Sequence, residues 1–320
     1  MKIRRALISF TLITLFYLLS LIWVDSKNQI FSGSSKILSI LPTLISISLL
    51  SYFIRYFRWY WLLSRAGHKT GLFSGFLAYL AGFAFTATPG KLGELIRIRY
   101  LSSQGVPPFK VISAFVYERA FDLIVVLFLS ALAISQSDIF FIALGFVVFL
   151  LIVLILVAFN PRWLTKLSAY FRLYRLKKLA RICVTIRDGV SGCFIWITPL
   201  DIIVSASLGL LAWGCTAFSF VILLNYLGVF IPFISAMAIY PLAMLAGAAS
   251  MLPGGVGSTE ATIVVLLSMF SAPLATAALV AIGIRISTMW FAVLSGLCTL
   301  SVLEYFLHRT DAPVFQKHRD

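Results

Sequence analysis

The residues best placed to do chemistry are charges set inside apolar runs. Tyr117-Glu118-Arg119-Ala120-Phe121-Asp122 opens one such run. On a helix, Glu118 and Asp122 stand four apart and share a face, with Arg119 close beside Asp122. Charges at membrane depth are costly and face a bundle interior or water. Three readings fit this group: carboxylates that counter cations or carry protons in a wet cavity, a buried ion pair that only positions helices, or charges placed at the interface near the cytoplasmic edge. Arg285 lies deeper in another apolar run. Its expected partner is Glu260, which alternatively complements the start of its own helix. Lys91, Glu94, Arg97 and Arg99 form a third group, in which Glu94 and Arg97 are three apart and can pair. Arg97 and Arg99 point to different faces, leaving at least one to snorkel toward headgroups. Arg55 and Arg58, within Tyr52–Trp61, read as an aromatic-and-basic interfacial belt.

Composition says what kind of element must hold these charges. The 320 residues are 61% apolar and 12% charged, with 26 Lys and Arg against 11 Asp and Glu and a net charge of +15. Mean hydropathy is +1.02. A soluble domain runs about 45–50% apolar and about 25% charged, so a water-soluble core is excluded, and so is disorder. The basic residues are separated by long apolar runs, which makes the charge a topology signal rather than a nucleic-acid footprint. Cys183, Cys193, Cys215 and Cys298 form no C-x-x-C pair and read as small packing residues. His68, His308 and His318 sit at segment ends, so no His-built metal site is expected. No P-loop, H-E-x-x-H helix or G-x-S-x-G elbow occurs. Neither a cofactor nor ATP hydrolysis through a P-loop is expected.

A bilayer core of about 30 Å takes roughly 20 apolar residues in a helix. Full spans are expected at Ala6–Val24, Ile37–Leu63, Lys110–Ser135, Ile139–Phe159, Ile197–Leu224 and Ala277–Leu307. The first lacks a small-residue cleavage site and reads as a retained helix rather than a signal peptide. Two stretches are interrupted: Leu72–Leu101 by Pro89-Gly90, and Phe233–Phe270 by Pro253-Gly254-Gly255. The segment Asn160–Val190 carries Arg162, Lys166, Arg172, Arg175, Lys177, Lys178, Arg181 and Arg187 against the single acid Asp188. Short basic loops stay cytoplasmic, and the N-terminus, Arg65–Lys69 and the tail are basic as well. These assignments agree only if each interrupted stretch enters and leaves on the same side. The expected fold is therefore an all-α integral protein of the cell membrane. It has six full transmembrane helices, two re-entrant helical hairpins and both termini in the cytoplasm. The basic loop would rest on anionic lipid, at about 1 kcal/mol per basic residue.

The two interruptions resemble each other. Thr88-Pro89-Gly90-Lys91-Leu92-Gly93-Glu94 matches Leu252-Pro253-Gly254-Gly255-Val256-Gly257, and Leu-Ala-Gly precedes each, at Leu80–Gly82 and Leu245–Gly247. Each half reads as two spans, a hairpin and one more span, in opposite orientation. The halves are 1–135, with its hairpin at 72–103, and 136–309, with the basic loop 160–190 and a hairpin at 233–271; a tail, 310–320, follows. Inverted repeats with broken helices near the midplane mark secondary transporters. Proline ends the entering helix and glycine permits the reversal. The returning helix, from near Leu92 or Ser258, would aim free N–H groups and a positive dipole end at an anion such as phosphate. The plainer alternative is a close-packed bend that binds nothing. The candidate phosphate-binding residues are Pro89, Gly90, Lys91, Gly93, Glu94, Arg97 and Arg119 in the first half, and Pro253, Gly254, Gly255, Gly257 and Arg285 in the second. Glu118, Asp122 and Glu260 are the candidate counter-charges.

Pro89-Gly-Lys-Leu-Gly-Glu94 with Arg97, Gly105-Val106, Glu118-Arg119-x-x-Asp122, and Pro253-Gly-Gly-Val-Gly257 with Glu260 resemble the flippase-like transmembrane region of lysylphosphatidylglycerol synthases. That resemblance implies a lipid-translocase fold with paired re-entrant helices. Members fused to a soluble aminoacyl-transferase domain both make and flip aminoacylated phosphatidylglycerol. Only residues 308–320 follow Leu307, so that domain, and synthase activity with it, is not expected here. Ser258-Thr259 precede Glu260 where many relatives have an arginine beside the glutamate. The leading expectation is a translocase for a phospholipid or isoprenoid-phosphate lipid, acting on membrane lipids and not on nucleic acid. Its rivals are an integral-membrane headgroup transferase and an accessory subunit of an envelope-lipid synthase docked on the basic loop.

Overall fold

The structure, a computed structural model, describes residues 34–134 and 138–309. The expected span Ala6–Val24 and the tail 310–320 lie outside these residues. The described course starts with the long apolar helix α1 (Ser34–Arg65), followed by α2 (Leu72–Phe83). A turn and a 3-10 segment, Pro89–Ile96, lead into the short α3 (Arg97–Ser102). Then come α4 (Pro108–Ile134) and α5 (Asp138–Phe159), the latter apolar throughout after Asp138. Two basic amphipathic helices, α6 (Pro161–Leu173) and α7 (Lys177–Gly192), fill the expected basic loop. α8 (Pro199–Tyr226) is capped by Thr198, whose hydroxyl accepts the Asp201 N–H at 3.2 Å. α9 (Phe233–Ala249), a 3-10 turn at Pro253–Gly255 and α10 (Ser258–Ser268) repeat the broken pattern. α11 (Leu274–Arg285) continues through a π-helical turn, Ile286–Trp290, into α12 (Phe291–Arg309).

Among the described residues there is no strand, and four runs are long and apolar enough to cross a membrane: Lys36–Arg65, Asp138–Val157, Pro199–Tyr226 and Leu274–Phe306. α4 is as long as these, with 27 residues spanning about 40 Å. Its apolarity is interrupted by Glu118, Arg119 and Asp122. α2, with 12 residues, reaches only about 18 Å and cannot cross a core of about 30 Å.

Proline sets the shape of both breaks. The residue before proline is pushed to extended backbone, and Thr88 (φ −72°, ψ 149°) and Leu252 (φ −68°, ψ 145°) match each other closely. Gly90 (φ 61°) and Gly254 (φ 64°) then turn the chain through the left-handed region that favours glycine. The second returning helix begins at Ser258, as read from sequence. The first does not begin at Leu92: the chain stays in 3-10 form and becomes α-helical only at Arg97. The cause is local. Lys91 also adopts positive φ, and the Gly93 N–H is held by Thr88 Oγ1 at 2.8 Å instead of a carbonyl one turn back.

Packing crosses between the halves. α1 lies along α8, α2 packs on α12, and α9 packs on α4. Each short arm before a break thus rests on the closing helix of the other half, and the two breaks touch each other. Tyr52, Trp59, Tyr79, Phe83 and Trp196 form an aromatic core beside the first break. Leu44, Phe220, Leu223 and Ile284 belong to a larger aliphatic core on the other side.

The α2–α12 contact is set by Gly296, where an added Cβ would meet the backbone of Phe83 and Ala84. Backbone cannot swing aside as a side chain can. Gly296→Ala is expected to lower unfolding stability in detergent by about 1–3 kcal/mol. Gly145→Ala on α5, where a Cβ meets nothing within 4 Å, is the control and stays within about 0.5 kcal/mol of the wild type.

Candidate functional site

The intramembrane charges converge. On α1, Ser48, Ser51, Arg55 and Arg58 fall at helical spacing and form one polar stripe facing inward. On α4, Glu118 and Asp122 meet that stripe. Arg58 Nη2 donates to Asp122 Oδ1 at 2.6 Å and to Glu118 Oε1 at 3.2 Å, and Arg55 Nη1 reaches Asp122 Oδ2 at 3.3 Å. Arg119 Nη2 lies 3.2 Å from both Glu118 Oε1 and Asp122 Oδ2. The reading of Arg55 and Arg58 as an interfacial belt is therefore corrected. Arg58 is fully buried and Arg55 nearly so, because the α4 carboxylates need buried partners and α1 supplies them. The signal was present in the spacing, since a serine-and-arginine stripe on an apolar helix points inward.

The 3-10 segment adds to the same cluster. Glu94 pairs with Arg97 Nη2 at 2.9 Å, the three-residue pairing read from sequence, and accepts a hydrogen bond from Thr86. Arg97 Nη1 is 3.7 Å from Glu118. Its guanidinium sits 4.0 Å from the Tyr79 ring centre and 5.1 Å from that of Trp59. Gly82 leaves the room this needs, because a Cβ there would strike the Arg97 guanidinium. Tyr79 OH completes the group by donating to Glu118 at 2.9 Å. Arg99 lies outside the cluster and pairs with Glu304 at 3.0 Å.

In the second break, Glu260 does both things considered for it. One carboxylate oxygen caps the Gly257 N–H at 2.8 Å, and the other accepts from Arg285 Nε at 2.9 Å. Arg285 Nη2 also donates to the Gly254 carbonyl at 2.5 Å, tying the turn to α10. The N-terminus of α10 is thus met by a carboxylate of its own helix. Gly93, in the first break, is a packing residue whose Cβ would fall on Phe85.

Between the breaks lies a cavity of about 420 Å³. Arg55, Lys91, Arg119 and Arg285 reach its wall, with Glu94 and Asp122 as the carboxylates, so cations outnumber anions there. Gly90, Gly254 and Gly255 also line it, while Gly93, Arg97, Glu118, Pro253, Gly257 and Glu260 are not among its lining residues. Pro89 adjoins the wall through Gly90. Serine, threonine and tyrosine residues, among them Ser48, Thr86, Tyr240 and Thr288, also line the space, and most of the remaining wall is apolar. Among the described residues no group of three or more His, Cys, Asp or Glu is placed to hold a metal ion.

Lys91 stands apart from the other cations. It has no ion pair or hydrogen bond from its ammonium among the described residues, whereas each arginine on the wall is matched. Its backbone sits at φ 55°, ψ 23°, a conformation costing a non-glycine residue about 1–2 kcal/mol. The equivalent position in the second break is Gly255, at φ 63°. One turn therefore occurs twice, with a strained lysine in one copy where the other uses glycine. Such strain persists where a side chain is required in place.

The cluster and Lys91 respond differently to mutation. Glu118→Gln and Arg58→Met each leave buried charge uncompensated and are expected to lower stability by about 3–5 kcal/mol, read from thermal or denaturant unfolding in detergent. Lys91→Gly removes strain and no partner, so stability is unchanged or raised by up to about 1 kcal/mol.

A family model described as the lysylphosphatidylglycerol synthase TM region matches residues 5–296. No curated protein and no solved structure matches the chain. The match takes in both breaks, the α1 stripe and the α4 carboxylates, and the chain belongs to the family of lysylphosphatidylglycerol synthase transmembrane regions.

Proposed function

We propose that the protein moves a phosphate-bearing lipid, a phospholipid or an isoprenoid phosphate, from one leaflet to the other. The observation that carries this reading is the cation-rich, apolar-walled cavity between the two broken helices. Lys91 and Arg119 hold the phosphate, with Arg285 keeping the second break in shape, while the hydrocarbon stays in the bilayer. Asp122 and Glu94 counter the cations when the site is empty. Transport is passive or driven by an ion gradient, and the protein performs no headgroup reaction.

The topology belongs to the same proposal. α1, α4, α5, α8 and the α11–α12 run are five of the spans; the expected sixth, Ala6–Val24, lies outside the described residues. α2 to α3 and α9 to α10 are re-entrant hairpins. The cross-packing of α2 on α12 and α9 on α4, and the pairing of α1 with α8, support an inverted repeat of 1–135 and 136–309 about an axis between the breaks. α6 and α7, basic and with exposed Trp163 and Leu173 on α6 and Tyr174 just after it, lie on the cytoplasmic leaflet of the cell membrane, with both termini on that side. An envelope-lipid synthase docked there would be its partner.

The test is leaflet exchange in liposomes holding the purified protein, with headgroup-labelled phosphatidylglycerol, phosphatidylethanolamine and an isoprenoid phosphate compared. Rapid exchange of at least one is expected, falling at least ten-fold in Lys91→Gly and Arg119→Ala while Lys91→Gly keeps its stability. Exchange at wild-type rate in both variants removes these residues from the mechanism. No exchange of any lipid, with or without a proton gradient, removes the translocase.

A further inference from the structure

A second, almost wholly apolar hollow of about 290 Å³ adjoins the central cavity. The two share Gly90, Arg119, Leu123 and Leu150 on their walls, so one begins where the other ends. The hollow runs between Val116 and Ala120 of α4, Leu154 and Val157 of α5, and Ile186 of α7. Among the described residues, Arg119 is the only charged one on it. α5 is the most exposed of the four long apolar runs, and Val153, on the wall of the hollow beside Leu154, is 41% exposed.

From this continuity we infer that the hollow between α4 and α5 is the hydrocarbon arm of the lipid site. A chain of the bound lipid lies there while its phosphate sits at Arg119 and Lys91. The inference rests on the translocase reading and adds what kind of anion the site takes. A free phosphate or soluble sugar phosphate has no use for a dry side arm, whereas an amphiphile needs one that starts at the cation and leads to the bilayer. About 290 Å³ is roughly a dozen methylene volumes at ordinary packing density, enough for most of one acyl chain.

The experiment measures dioleoyl-phosphatidylglycerol retained by the detergent-purified protein, by native mass spectrometry, beside glycerol 3-phosphate as a headgroup-only probe. Wild type is expected to retain the phospholipid and not the soluble phosphate. Ala120→Leu and Leu154→Trp, which fill the hollow from opposite walls, should cut retention by at least ten-fold while eluting as monodisperse protein. Leu154→Ala, which widens it, should retain at least as much as wild type. Retention at wild-type level in both filled variants overturns the inference. So does glycerol 3-phosphate binding as tightly as the phospholipid, or a wild type that retains neither. The translocase reading is judged separately by liposome exchange, so a protein that exchanges lipid but is indifferent to groove filling loses only the hydrocarbon arm.

Discussion

The constraint on which the rest of the structure depends is that the carboxylates of α4 must be matched inside a membrane. Glu118 and Asp122 are almost completely buried, and an isolated ionised carboxylate there would be very costly. Matching them recruits three arginines besides the neighbouring Arg119: Arg55 and Arg58 from α1, and Arg97 from the far side of the first break. Each recruitment places an element. α1 must lie with its serine-and-arginine stripe toward α4, and the first break must end where Arg97 reaches both Glu94 and Glu118. Gly82, Tyr79 and Trp59 are the consequences, one making room for the guanidinium and two covering its faces.

With the cluster so arranged, most of its charge is spent on architecture, which separates scaffold from working residues. Arg58 and Arg97 are fully buried and held. Arg285 is engaged with Glu260 and the Gly254 carbonyl. Arg119 is partly exposed, with 20% of its side chain accessible, and Lys91 is strained and, among the described residues, unmatched. The comparison between the breaks is the most informative detail. The same Pro-Gly turn closes in both, and at the position after its glycine the first copy holds a lysine at positive φ where the second holds Gly255. A helix terminus alone would not explain that difference, since the α10 terminus is met by Glu260 of the same helix.

Much of this was legible from the chain alone. Pro89-Gly90 and Pro253-Gly254 marked both breaks because proline and glycine act through local geometry, which sequence carries directly. The Glu94–Arg97 pair was legible for the same reason, and the Arg285–Glu260 pair because few other partners were available at depth. Arg55 and Arg58 were misread because neighbouring tyrosines and tryptophans favour an interface, and only tertiary contact with α4 shows which way the arginines turn. The delayed helix at Arg97 was hidden as well, since nothing in Leu92-Gly93-Glu94 announces that Thr88 will take the Gly93 N–H. The side arm between α4 and α5 was invisible because it is made of ordinary aliphatic residues, distinguished only by what they leave unfilled.

The central claim is that a lipid phosphate rests between the two breaks, against Lys91 and Arg119. An experimental density map of the protein in nanodiscs of phosphatidylglycerol tests it most directly. The account predicts a phosphate-sized density within hydrogen-bonding reach of the Lys91 ammonium and the Arg119 guanidinium, absent from a matching map of Lys91→Gly. Ordered lipid confined to the outer surface, with the cavity holding only water in both maps, would contradict it.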